Sequence, residues 1–98
     1  MGTPLYLAPE IIRSEKYDHK ADIWGLGCVC YQMAALEHPF EGKNIIHLGQ
    51  NIVSAHPKPL LNYSASLNAF VMDMLEKNPL RRPSASELLK KYFHNRPL

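Results

Sequence analysis

The chain has 98 residues, 46% of them hydrophobic and 20% charged, with eleven Lys and Arg against nine Asp and Glu for a formal net charge of +2. That length fits one small domain, which buries only ~65% of the surface its unfolded form exposes, so the core is modest. The charges are spread without a single-sign field, which argues against nucleic acid or a membrane surface as a partner.

In chain order, residues 1–8 hold Gly, Thr and Pro and are predicted to form a loop, after which Pro9 opens a short helical turn through Glu10, Ile11, Ile12 and Arg13. Ser14 to His19 is polar and reads as a surface loop. From Lys20 to Leu36 a helix is apolar on every side: Ile23, Trp24, Leu26, Cys28, Val29, Tyr31, Met33 and Leu36 leave no polar face. Such a helix belongs in the centre of a protein. Its apolar run falls short of the ~20 residues that span a bilayer. Pro39 should end it, because proline pushes the preceding residue out of the helical region. Asn44 to Val53 places Ile45, Leu48, Ile52 and Val53 at helical spacing, and His56-Pro57-Lys58-Pro59 breaks the pattern into an extended connection. Leu67, Phe70, Val71, Met74 and Leu75 then form the stripe of an amphipathic helix capped by Ser64 or Ser66. Pro79 and Pro83 frame a charged loop, and Ser84-Ala85-Ser86-Glu87 is a capping box opening a last helix with Leu88, Leu89, Tyr92 and Phe93. No strand, repeat or domain boundary has comparable support, so the expected fold is a single all-α unit.

Several chemistries are excluded on residue type and spacing. Cys28 and Cys30, two apart on a helix, point to nearly opposite sides and read as packing residues in a reducing compartment. Gly25-Leu26-Gly27 lies inside the apolar helix, with no preceding strand and no third glycine, and is no nucleotide loop. His19, His38, His47, His56 and His94 are scattered and lack metal-site spacing. Met1-Gly2 does not open a myristoylation signal, because Tyr6 stands where Ser or Thr is needed, and no secretory signal is present. Asp22 reads as a first-turn acid that favours the positive end of its helix, and Trp24 as a packing residue.

Three segments carry a resemblance. Gly2-Thr3-Pro4-Leu5-Tyr6-Leu7-Ala8-Pro9-Glu10, then Asp22-Ile23-Trp24-Gly25-Leu26-Gly27, then Asn78-Pro79-Leu80-Arg81-Arg82-Pro83 stand in the order found in the carboxyl-terminal half of eukaryotic protein kinase domains. Read alone, the first is a proline-stiffened loop, and Glu10 and Arg82 are unrelated charges. With Tyr17 to Met33, His38-Pro39-Phe40-Glu41, Tyr63-Ser64 and the closing Arg82-Pro83-Ser84, the chain resembles the NIMA-related (NEK) serine/threonine kinases from Gly2 to about Phe93. The resemblance implies helices corresponding to αEF, αF, αG, αH and αI, with residues 1–98 forming part of a kinase domain from the end of the activation segment onward. It implies that Thr3, Pro4, Leu5 and Tyr6 belong to the substrate-docking (P+1) loop, with the Thr3 hydroxyl oriented toward the catalytic groups. It also implies an ion pair between Glu10 and Arg82, and that Asp22 anchors the catalytic loop. A carboxylate buried beside the central helix needs such a partner, and a planar guanidinium supplies two parallel hydrogen bonds.

Phosphoryl transfer also needs a loop over the ATP phosphates, a lysine on their oxygens, a catalytic aspartate and a magnesium carboxylate. None of these motifs occurs in the 98 residues. The expectation is therefore that the chain has no catalytic, cofactor-binding or metal residue and is inactive alone, whereas the parent uses ATP and Mg2+. Its implied partners are protein substrates and the missing amino-terminal part of the kinase domain. The implied location is intracellular, in the cytoplasm or on the cytoskeleton and centrosome. A noncatalytic binding module, engaging substrates or competing with the intact enzyme through the Thr3–Tyr6 loop and the Asn44–Val53 helix, is the rival reading. Because one side of the Lys20–Leu36 helix would lack its cover, marginal stability, dye binding and association are also expected.

Overall fold

The computed structural model of the chain describes residues 6–93, and among these the only regular elements are five α-helices: α1 (Pro9–Ile12), α2 (Lys20–Ala35), α3 (Ile45–Ser54), α4 (Ala65–Met74) and α5 (Ala85–Phe93). No described helix is long and apolar enough to cross a membrane.

Local chemistry sets the helix starts. Pro9 sits at the first position of α1, where its missing N–H costs nothing. The Asn44 side chain accepts from the His47 N–H at 2.8 Å and opens α3. Ser64, rather than Ser66, caps α4 by accepting from the Leu67 N–H. At α5 the box is reciprocal, with the Glu87 N–H donating to Ser84 Oγ at 3.1 Å and the Ser84 N–H to Glu87 Oε1 at 3.0 Å.

The end of α2 differs from the expectation. The helix stops at Ala35 because Leu36 adopts a left-handed conformation (φ 61°), its N–H bonding back to the Gln32 carbonyl. Pro39 therefore follows a helix that has already ended.

The core forms around one face of α2. Trp24 is fully buried and stacks on Phe40 at 5.5 Å between ring centres, with Cys28, Tyr31, Ile52 and Val71 packed around the pair. Ile23, Met74 and Leu88 make a smaller cluster that joins α5. α4 lies tight on α2 because Gly27 has no side chain: a Cβ there would stand 2.8 Å from Met74 Cβ. Two tyrosine hydroxyls tie later segments to α2, Tyr31 donating to the Lys58 carbonyl and Tyr63 to the Ala34 carbonyl, both at 2.8 Å.

The helix is not enclosed all round. Leu26 (49% exposed), Val29 (40%), Met33 (72%) and Leu36 (88%) form an uncovered apolar stripe opposite Trp24. The absence of a polar face, visible in the sequence, thus corresponds to one buried face and one that the described residues leave open.

Candidate functional site

The segment entering α1 and the loop before α5 are joined by one ion pair. Glu10, in the first turn of α1, and Arg82, at the end of the Asn78–Arg82 turn, are 0% and 1% exposed. Arg82 Nη1 donates to Glu10 Oε2 at 2.8 Å and Nη2 to Glu10 Oε1 at 2.9 Å, the parallel two-bond geometry of a guanidinium on a carboxylate. The remaining donors of Arg82 are also used. Nε bonds the Glu76 carbonyl at 2.8 Å, Nη1 the Lys20 carbonyl at 2.7 Å, and Nη2 reaches the Lys77 carbonyl at 3.4 Å. All five N–H groups of the guanidinium therefore have acceptors, which a buried charge requires. Burial pushes the Glu10 carboxyl upward, but the Arg82 hydrogen bonds, a backbone bond and the Arg82 charge outweigh it and hold the group below its ordinary 4.5.

Two lysines that the sequence did not single out complete this arrangement. Lys20 returns the contact, its Nζ donating to the Arg82 carbonyl at 2.7 Å and the Pro79 carbonyl at 3.2 Å. Lys77 Nζ donates to the Ile52 carbonyl at 2.6 Å and lies 4.5 Å from the Phe40 ring centre and 5.4 Å from that of Trp24, while the Arg82 guanidinium lies 5.2 Å from the Trp24 centre. Burial, helped by the Arg13 charge, draws Lys77 down to about 8. Cys28, by contrast, is pushed up to about 12 by burial and stays a neutral packing thiol. The only sequence signal for either lysine was proximity: Lys20 begins the central helix and Lys77 precedes the Asn-Pro turn.

The residues expected to form a docking loop fall partly outside this region. Thr3, Pro4 and Leu5 lie outside the described residues. Tyr6 is 41% exposed, its hydroxyl donates to Gln32 Oε1 on α2, and its ring approaches His38. Tyr6, Leu7, Ile11, Tyr17, Asp18 and Asp22 border an open cleft of about 500 Å3. Asp22 is exposed in the first turn of α2 and accepts no side-chain hydrogen bond from the described residues. The structure thus brings Glu10 to Arg82, and Tyr6 to the same cleft as Asp22. Trp24 Nε1 and His38 Nδ1 are buried without a partner among the described residues. Among the described residues no three His, Cys, Asp or Glu side chains are grouped so that they could hold a metal ion.

Comparison with known proteins decides the family. The protein kinase domain family matches residues 1–94. The chain is 42% identical to serine/threonine-protein kinase Nek5 of Homo sapiens over 94 residues, covering 95% of the chain and 13% of that protein. It is 45% identical to serine/threonine-protein kinase Nek3 of Mus musculus over 91 residues, 91% of the chain and 18% of that protein. It is also 42% identical to the probable serine/threonine-protein kinase nek3 of Dictyostelium discoideum over 100 residues, all of the chain and 9% of that protein. The chain belongs to the protein kinase domain family, in its NEK-like serine/threonine branch. It spans less than a fifth of the length of these kinases. Within this kinase chain the all-helical architecture is that of the helical lobe, with α1 to α5 in the order expected for αEF, αF, αG, αH and αI.

Proposed function

We propose that this chain supplies the substrate-docking loop and helical scaffold of a NEK-like kinase domain whose complete form transfers the γ-phosphoryl group of ATP to Ser or Thr of protein substrates. The observation that carries this reading is the fully bonded Glu10–Arg82 pair, which fixes the end of the docking segment to the Asn-Pro turn 72 residues later. By the family resemblance, Thr3, Pro4, Leu5 and Tyr6 are the docking residues that precede this anchor in the chain. Asp22, exposed at the edge of the cleft beside Tyr6, is free to accept main-chain N–H groups of a catalytic loop. The stripe Leu26, Val29, Met33 and Leu36 is a surface for the rest of the kinase domain, since burying it removes several large apolar groups from water.

Nucleotide and Mg2+ are held in the parent by residues outside this chain, and the 98 residues alone do not transfer phosphate. By resemblance to its relatives, the parent works in the cytoplasm or on the cytoskeleton and centrosome. A noncatalytic binding role has one observation in its favour, the apolar patch of Ile12, Ile45, Ile46 and Val53 along α3. Two experiments separate the readings. An open reading frame that continues upstream of the Met1 codon with His-Arg-Asp and Asp-Phe-Gly is expected for the kinase piece, and a stop codon in frame there favours the module. Incubating the purified chain with labelled ATP, Mg2+ and a Ser/Thr substrate protein should leave the substrate unlabelled, and transfer of label refutes the reading.

A further inference from the structure

We infer that Lys20 is a positioning residue for phosphoryl transfer, an inference that rests on the proposed function. Its ammonium group pins the first turn of α2 to the Asn78–Arg82 turn, and that hold sets where Asp22 presents its carboxylate to the catalytic loop of the complete domain. The start of α2 is poorly secured by its own bonds. His19, at the N-cap position, makes no side-chain cap bond, and the Asp22 and Ile23 N–H groups reach the His19 carbonyl at 3.1 and 3.3 Å. A helix end without a cap leaves its first N–H groups short of partners. What holds this one converges on Lys20. Its main-chain N–H donates to Asp18 Oδ1 at 2.9 Å, its carbonyl accepts from Arg82 Nη1 at 2.7 Å, and its Nζ donates to the Arg82 carbonyl at 2.7 Å and the Pro79 carbonyl at 3.2 Å.

The chemistry of the contact explains the lysine. The Asn78 carbonyl closes the turn by accepting from the Arg81 and Arg82 N–H groups at 3.0 and 2.9 Å, while the Pro79 and Arg82 carbonyls turn toward α2. An ammonium carries three donors on one atom and serves both carbonyls at once. Arg82 is thereby held at both ends: Glu10 and the Lys20 carbonyl fix its guanidinium, and the Lys20 amine fixes its main chain. The Glu10 anchor and the first turn of α2 therefore keep one relative position. Asp22 lies two residues along that turn, exposed and bordering the cleft it shares with Tyr6. Lys20 thus acts on the reaction through Asp22.

Two measurements test this, one in an intact NEK-like kinase carrying residues 1–93 of this chain and one in the 98-residue chain itself. Lys20→Met keeps the aliphatic stem and removes the charge and the donors. In the kinase it should lower kcat about tenfold, the scale of losing hydrogen bonds to a charged group, with the KM for ATP unchanged. With Asp22→Asn already present, the same substitution should cost less than about twofold more, because both changes act along one path. Lys20→Arg, which retains a cation and its donors, should recover most of the rate. In the chain, Lys20→Met should speed amide exchange of Ala21, Asp22 and Ile23 about tenfold relative to the α4 amides, a ratio that a uniform loss of stability leaves unmoved. An active kinase whose kcat is unchanged by Lys20→Met, or whose losses add fully with Asp22→Asn, overturns the role of Lys20 and leaves the proposed function standing, as does an unchanged exchange ratio. An unsubstituted kinase that folds and transfers no phosphate refutes the proposed function and this role with it. Lys20→Gln, which keeps an amide donor without the charge, provides the same readings if the Met variant does not fold.

Discussion

Replacing Arg82 by Ala should be the most damaging single change in the chain. It removes both hydrogen bonds to Glu10 and the bonds to the Glu76, Lys20 and Lys77 carbonyls, leaving the Glu10 carboxylate fully buried with no cation. Breaking a buried pair from one side costs about 3–5 kcal/mol. A domain of this size holds roughly 5–15 kcal/mol in total, so much of its stability depends on one side chain. Urea unfolding followed by the fluorescence of Trp24, the only tryptophan, reads this directly. With a slope of roughly 1.5 kcal/mol/M, a loss of ~4 kcal/mol moves the midpoint by about 2.5 M. Glu10→Leu combined with Arg82→Met should recover most of the loss, because apolar groups of similar volume leave no buried charge. An Arg82→Ala midpoint within ~0.3 M of the parent would refute the reasoning. The same pair sets an acid limit. The Glu10 carboxyl is held below 4.5 in the folded chain, so its contribution is complete above 4.5 and is lost as pH falls through the folded value. Glu10→Gln should flatten the stability profile in that acid range.

Three further outcomes follow from the packing. Gly27→Ala forces a Cβ to 2.8 Å from Met74 and 3.1 Å from Leu75, and should lower the melting temperature through an overpacking cost of ~1–3 kcal/mol; an unchanged melting temperature would mean α2 and α4 are less tightly apposed. Leu36→Gly relieves a left-handed leucine that is 88% exposed, and should raise stability by roughly 0.5–1 kcal/mol, measured by urea midpoint. The purified chain should bind a hydrophobic dye on the α2 stripe, and Val29→Glu with Met33→Glu should remove most of that signal; undiminished binding would place the dye elsewhere.

Much of the architecture was legible in residue order. The apolar run around Trp24 identified the central helix, and Ser84 with Glu87 fixed the start of α5 through side chains that bond within one turn. Local chemistry of this kind is written in adjacent residues. The start of α4 needed the structure, since Ser64 and Ser66 both suit a cap and only Ser64 meets the Leu67 N–H. The end of α2 was misplaced because leucine carries no signal for a left-handed turn, whereas Pro39 advertises a break three residues later. Helical spacing also leaves open which side of an all-apolar helix has a neighbour, so the exposure of Leu26, Val29, Met33 and Leu36 becomes visible only once Trp24 is seen to face inward. Lys20 and Lys77 were missed for a related reason: each bonds to carbonyls far along the chain, and such acceptors belong to every residue type. The Glu10 and Arg82 positions came from family resemblance, and neither charge nor spacing singles them out.

The most direct measurement is a transplant. Residues 1–93 of this chain would replace the matching segment of an intact NEK-like kinase, and phosphate transfer from ATP to a Ser/Thr substrate protein would be measured. An active chimera that loses folding and transfer together on Arg82→Ala is the expected result. A chimera that folds as well as the parent kinase yet transfers no phosphate would contradict the assignment of this chain as a docking loop and scaffold.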